Sequence, residues 1–153
     1  MIRRRLLSEL GREEEEMCWK KLGTIIKDGT TAEQSFVLGE EAQRIMILVS
    51  YEGSDALTGA WEILSVNGGA RIGVMNSMPS VSGGLQVFEI QKTPFGFKFS
   101  GTRSTTPTFA GSNNQEYYNF IESDDTGISS FSFGSDTGKG ASSNGVEWDI
   151  YYM

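Results

Sequence analysis

From Met17 to the last residue, apolar side chains recur at every second position in short runs, each cut by a turn rich in Gly, Asn or Asp. Period two belongs to strands that bury one face, and no helical spacing interrupts it. The runs read as strands at 19–26, 34–38, 44–51, 60–66, 71–75, 85–92, 95–100, 117–121, 128–133 and 146–152. Lys27-Asp28-Gly29 closes the first, and Asn67-Gly68-Gly69 makes a hairpin turn between the fourth and fifth. Residues 44–51 put Ile45, Ile47, Val49 and Tyr51 on one face and Met46 and Leu48 on the other. Apolar residues on both sides predict a central strand, because an edge strand wets one side. In 95–100 three phenylalanines, Phe95, Phe97 and Phe99, alternate with small or polar residues, so their rings are expected in the core. Residues 80–84, 101–116 and 134–145 read as loops, the second the longest. At the end, Val146, Trp148, Ile150 and Tyr152 alternate with Glu147, Asp149 and Tyr151.

So many strands without intervening helices must pair mainly antiparallel, since parallel pairs need long crossovers. They must then stack as a sandwich or close as a barrel. Large aromatics on the apolar faces suit a dry layer between two sheets, so the expected fold is an all-β, antiparallel two-sheet β-sandwich, jelly-roll-like, occupying residues 17–153. The 19 glycines and a hydrophobic fraction of 38% fit this reading, because half-buried strands need few apolar residues and many turns.

Residues 1–16 differ. Ile2, Leu6 and Leu10 recur every fourth position with Leu7 beside them, predicting a short amphipathic α-helix followed by an acidic spacer. The helix is too short to be stable alone, and its arginines and glutamates oppose the macrodipole. Its stripe therefore needs a surface, either its own β domain or another molecule. Ile2, Leu6, Leu7 and Leu10 are the expected oligomerisation or attachment residues. Arg3-Arg4-Arg5 before leucines looks briefly like a signal peptide, but the apolar stretch stops at Leu10; no signal peptide and no membrane insertion are expected.

Composition removes much chemistry. There is no histidine and one cysteine, Cys18, which excludes an internal disulfide, cysteine zinc sites and histidine-based triads. Cys18 itself reads as a buried small hydrophobe beside Trp19. A net charge of −7 with no basic cluster after residue 21 argues against nucleic acid. Asp124-Asp125-Thr126-Gly127 and Asp136-Thr137-Gly138 lack the spacing of a calcium loop and read as turns, so no metal and no cofactor are expected. Glu147 and Asp149 share a strand face but point away from the aromatics that would line a sugar subsite, so no catalytic residue is assigned. The aromatics that break the core pattern or sit by loops, Trp61, Tyr117, Tyr118 and Tyr151, with Asn113 and Asn114, are the candidate ligand contacts, in a glycan-binding surface. Adjacent strand residues point opposite ways, so one of Tyr117 and Tyr118 can instead pack inward.

The opening, Met1-Ile2-Arg3-Arg4-Arg5-Leu6-Leu7, then Glu13 to Glu16 and Met17-Cys18-Trp19-Lys20-Lys21-Leu22-Gly23-Thr24, resembles small β-sandwich proteins of phage and prophage tail gene modules from gut bacteria. The closing hairpin, Gly127-Ile128-Ser129-Ser130-Phe131-Ser132-Phe133 to Gly145-Val146-Glu147-Trp148-Asp149-Ile150-Tyr151-Tyr152, is similar to theirs as well. The resemblance implies a non-enzymatic virion or tail-associated structural or adhesion protein, made in the host cytoplasm and carried on the virion. It implies homo-oligomers and partners among other phage structural proteins or host-surface glycans. A second reading, a small acidic intracellular inhibitor of a host defence protein, needs one dense acidic face.

Overall fold

The computed structural model describes residues 18–52, 61–76, 83–105, 115–136 and 140–153. The expected helix at 1–16, with Ile2, Leu6, Leu7 and Leu10, lies outside them, as do Asn113 and Asn114. Ten strands follow in order: β1 (Lys20–Ile26), β2 (Glu33–Ala42), β3 (Arg44–Glu52), β4 (Trp61–Val66), β5 (Ile72–Asn76), β6 (Gly83–Thr93), β7 (Gly96–Thr105), β8 (Gln115–Glu122), β9 (Ile128–Ser135) and β10 (Glu147–Tyr152). A short 3-10 turn at Gly140–Ser142 precedes β10.

Every pairing is antiparallel. One sheet has six strands in the order β1-β10-β3-β6-β7-β8, the other four in the order β2-β9-β4-β5. β3 is central, between β10 and β6, as its two apolar faces require. Its inward residues Ile45, Ile47 and Val49 join Phe88, Ile90, Phe97, Phe99, Trp148 and Ile150 on one side of a single core. The four-stranded sheet supplies Leu38, Leu64, Val66, Val74, Phe131 and Phe133. Phe133 joins the layers, its ring centre 4.8 Å from that of Phe88 and 4.7 Å from that of Trp148. Such tilted ring contacts, with interplanar angles of 44° and 60°, hold sheets at a fixed spacing and add about 0.5–1.5 kcal/mol each beyond area burial.

The structure corrects four local readings. β2 runs on through Gly39, Glu40 and Glu41 to Ala42, because a register shift after Val37 lets the acidic stretch stay in the sheet. β7 and β8 take residues 101–105 and 115–116 from the expected loop, since Gly101 to Arg103 still pair with Gln115 to Tyr117. Phe95 is not in the core. It is 78% exposed, in the turn before β7, where Gly96 has φ 151° and a Cβ would lie 2.0 Å from the Ile121 carbonyl oxygen. Cys18 is exposed rather than buried, because it precedes the first ladder residue.

The connections fall into two classes by pole. At one pole the links are one to five residues long: Gln43, residues 67–71, 94–95 and 123–127. β1 starts and β10 ends at this pole, with Lys20 opposite Tyr152. Asn67 locks the pole. Its side-chain nitrogen donates to Asp125 Oδ2 and the Gly127 carbonyl, both at 2.9 Å, and its oxygen accepts from the Ser129 and Ser130 amides at 2.9 and 3.2 Å.

Candidate functional site

The opposite pole is where β1, β3, β5, β7 and β9 end and β2, β4, β6, β8 and β10 begin. The register fixes this: Glu52 pairs with Gly83, Gly84 with Thr105, Arg103 with Gln115, Trp61 with Asn76, and Glu62 with Ser135. The links leaving it, residues 27–32, 53–60, 77–82, 106–114 and 136–146, are six to eleven residues long. Long connections from a rigid sandwich end are where binding residues concentrate, because the scaffold tolerates their variation.

Beneath this pole the interior turns polar. Glu62, Gln86, Arg103, Ser135 and Ser142 are all buried. Glu62 Oε1 accepts the Ala141 amide at 3.0 Å, and the Ala141 carbonyl accepts Trp148 Nε1 at 2.5 Å. The 3-10 turn is thereby tied to both sheets. Ser142 Oγ donates to the Ala32 carbonyl, which also accepts the Ser135 amide at 2.9 Å. Arg103 Nε and Gln86 Nε2 point at the Met75 sulfur, 3.3 and 3.4 Å away, a weak acceptor. Asp136 and Trp61 exchange two bonds: the Trp61 amide donates to Asp136 Oδ1 at 2.9 Å and the Asp136 amide to the Trp61 carbonyl at 3.1 Å.

Lys27 is a further buried charged residue of this floor, along with Glu62 and Arg103. It is 4% exposed, its Nζ lies 4.5 Å from the Trp148 ring centre, and its polar contact is Gln34 Oε1 at 3.5 Å. Burial holds its amine below the ordinary lysine range, opposed only in part by Asp28. Backbone bonds in both directions fix it: Lys27 N–H to the Val146 carbonyl and Gly145 N–H to the Lys27 carbonyl, each 2.8 Å.

The ligand contacts expected from sequence are not gathered in one place. Trp61, 43% exposed, lies at the long-loop pole on the outer face of the four-stranded sheet, its ring over Gly73. Tyr117 turns inward against the core, the alternative the strand geometry allowed. Tyr118 points outward from β8, 62% exposed, and donates to Glu116 Oε2 at 3.1 Å, which raises its phenol pKa. Tyr151 stands on the outer face of β10, with Lys21 Nζ 5.7 Å from its ring centre. Glu147 and Asp149 precede it on the same face of that strand, and Asp149 is held below the usual carboxylate range by hydrogen bonds from Lys21 and Thr24.

No family model, curated protein or solved structure matches this chain. Among the described residues no group of three or more His, Cys, Asp or Glu side chains could hold a metal ion, and no helix is long and apolar enough to cross a membrane. What the described pole offers chemically is a rigid, hydrogen-bonded floor under long connections. Sequence reasoning missed that floor, because Glu62, Gln86 and Arg103 lie on strands whose neighbours, not their own types, decide the buried face.

Proposed function

We propose that this chain is a non-enzymatic, phage particle-associated adhesion or structural module, jelly-roll-like, that contacts a host-surface glycan or a neighbouring particle protein through its long-loop pole. One observation carries the reading: the two poles are built differently. Residues 1–17 lead into β1 at the short-turn pole, while the long connections leave the other. A helical segment that attaches or oligomerises through Ile2, Leu6, Leu7 and Leu10 would thus hold the sandwich with its long-loop end outward. The polar floor supports this use, since tying the Gly140–Ser142 turn to both sheets keeps the loop bases in place whatever the loops contact. Trp61 is the described aromatic available to a sugar at that pole.

The inhibitor reading, which needs a dense acidic face, gains no support. The ion pairs Lys20–Glu40, Lys21–Asp149, Arg44–Glu89 and Arg71–Glu33 interleave the charges over several strands.

The test is binding of the full chain to host cells and their purified surface polysaccharide. Replacing 106–114 by a short Gly-Ser link, and separately Trp61→Ala, should reduce binding at least tenfold with an unchanged thermal midpoint. Removing residues 1–16 should leave binding intact but abolish particle incorporation. Binding that survives the loop replacement, or no binding to any host surface or particle protein, would overturn the reading.

A further inference from the structure

The two sheets leave four edge strands among the described residues: β1, β8, β2 and β5. An edge presents unpaired backbone groups to any other strand, and folded proteins guard such edges with charge, bulges or brevity. Three of the four carry guards. β1 has Lys20 and Lys21, both exposed, and a register break before Gly23. β2 has exposed Glu40 and Glu41 and a break after Val37. β5 is five residues long and meets β4 across a break.

β8 is the least guarded, with charge only near its ends. Its eight residues pair with β7 without a break, and it contains no Lys, Arg or Pro. Its acids, Glu116 and Glu122, stand near the ends. Its middle is Tyr117-Tyr118-Asn119-Phe120, with Tyr118 62% and Phe120 46% exposed on the outer face. The Phe120 amide points away from β7, since it donates to its neighbour's Asn119 Oδ1 at 2.9 Å. By the alternation of an antiparallel ladder, the amides of Tyr118 and Glu122 point outward too.

We propose that β8 pairs with β8 of a second copy of this chain, antiparallel about a two-fold axis at Asn119. Two-fold pairing is self-complementary, so one such strand supplies both sides. It requires that residues pointing to the same face oppose each other, which leaves few registers. Centring on Asn119 sets Tyr118 opposite the partner's Phe120 and Tyr117 opposite the partner's Ile121. Rings meet on the outer face, and residues already packed on the core meet on the inner one. The outward amides of Tyr118 and Phe120 then donate to the partner's Phe120 and Tyr118 carbonyls, the Phe120 amide exchanging Asn119 Oδ1 for a backbone acceptor. Centring on Tyr118 instead would oppose Glu116 to Phe120 and Tyr117 to Asn119, a poorer match on both faces. In the chosen register Glu116 meets the partner's Glu122 at each end, with Lys98 of β7 one row away, beside Phe120. That like-charge pair predicts association that tightens with salt.

Light scattering on a sizing column across a concentration series of the full chain is the experiment. The expected result is a dimer that Phe120→Lys weakens at least tenfold with an unchanged circular dichroism spectrum. Independently, Asn119→Cys in a Cys18→Ser background should oxidise to a covalent dimer. Residues on the axis form a non-hydrogen-bonded pair with Cα atoms about 4.5 Å apart, within disulfide reach. A monomer at all concentrations overturns the proposal. So does a dimer that Phe120→Lys leaves intact and Asn119→Cys fails to cross-link, which would place the contact elsewhere, for instance at residues 1–17.

Discussion

Lys27→Met should stabilise this protein, which is unusual for a core substitution. The ammonium is almost wholly out of water and has no carboxylate within ion-pair distance among the described residues. Desolvating an ion costs several kcal/mol even after relaxation. Against that stand a ring contact worth about 0.5–2 kcal/mol and a hydrogen bond at 3.5 Å, too long to contribute much. Methionine keeps the stem's volume against Trp148 and removes the charge. The net expectation is a gain of about 1–2 kcal/mol at neutral pH, a rise in thermal midpoint of roughly 2–8 °C for a chain of this size. The pH dependence gives a second check. The folded-state pKa lies below the unfolded one, so the unfolded chain binds more protons between them, and wild-type stability rises with pH in that window. The advantage of methionine should therefore be full below the folded pKa and shrink as pH climbs toward 10.5. Urea unfolding followed by tryptophan fluorescence, from neutral pH to about 10, measures both. A loss of more than about 1 kcal/mol in Lys27→Met would refute the reasoning, because the ammonium would then be making net favourable contacts.

Asn67→Ala removes a side chain that satisfies two backbone amides and a carbonyl, and should cost about 2–4 kcal/mol in chemical denaturation. Gly96→Ala would drive a methyl into the Ile121 carbonyl and should destabilise by about 2–3 kcal/mol, with amide exchange accelerated in β7 and β8. Asp149→Asn should cost under about 1 kcal/mol at pH 7, since the Lys21 pair is half in water. Its carboxyl is depressed in the folded state, so the wild-type advantage should vanish as pH falls below 3.8.

The strands were legible where the core face repeats apolar residues at every second position. Ile45/Ile47/Val49, Phe97/Phe99 and Trp148/Ile150 all alternate, and all lie in the core. Phe95 continued the same alternation but is thrown out by the positive φ of Gly96, a backbone fact that side-chain periodicity cannot encode. Gly39-Glu40-Glu41 fell outside the strand read at 34–38, yet contacts from the other sheet hold it in β2: Lys20 and Tyr152 both reach Glu40. Lys27 looked like turn chemistry because its type and neighbours are those of a turn, whereas its burial comes from Trp148, far along the chain. Of the candidate ligand contacts, exposure of Trp61 and Tyr118 followed from broken patterning, but their separation onto different sheets depends on strand order, which no local pattern carries.

Strand order also sets a timetable. β10 lies between β1 and β3, so the six-stranded sheet is cut in two until the last strand arrives. Roughly 95 residues separate the end of β3 from the start of β10. At about 5–20 residues per second, the flank of β3 stays open for roughly five to twenty seconds of synthesis. β1 meanwhile has no sheet to join. A nascent chain paused before residue 147 therefore exposes the flank of β3 that β10 covers in the finished protein, on a strand apolar on both faces, and chaperone capture or misassembly should concentrate in that interval.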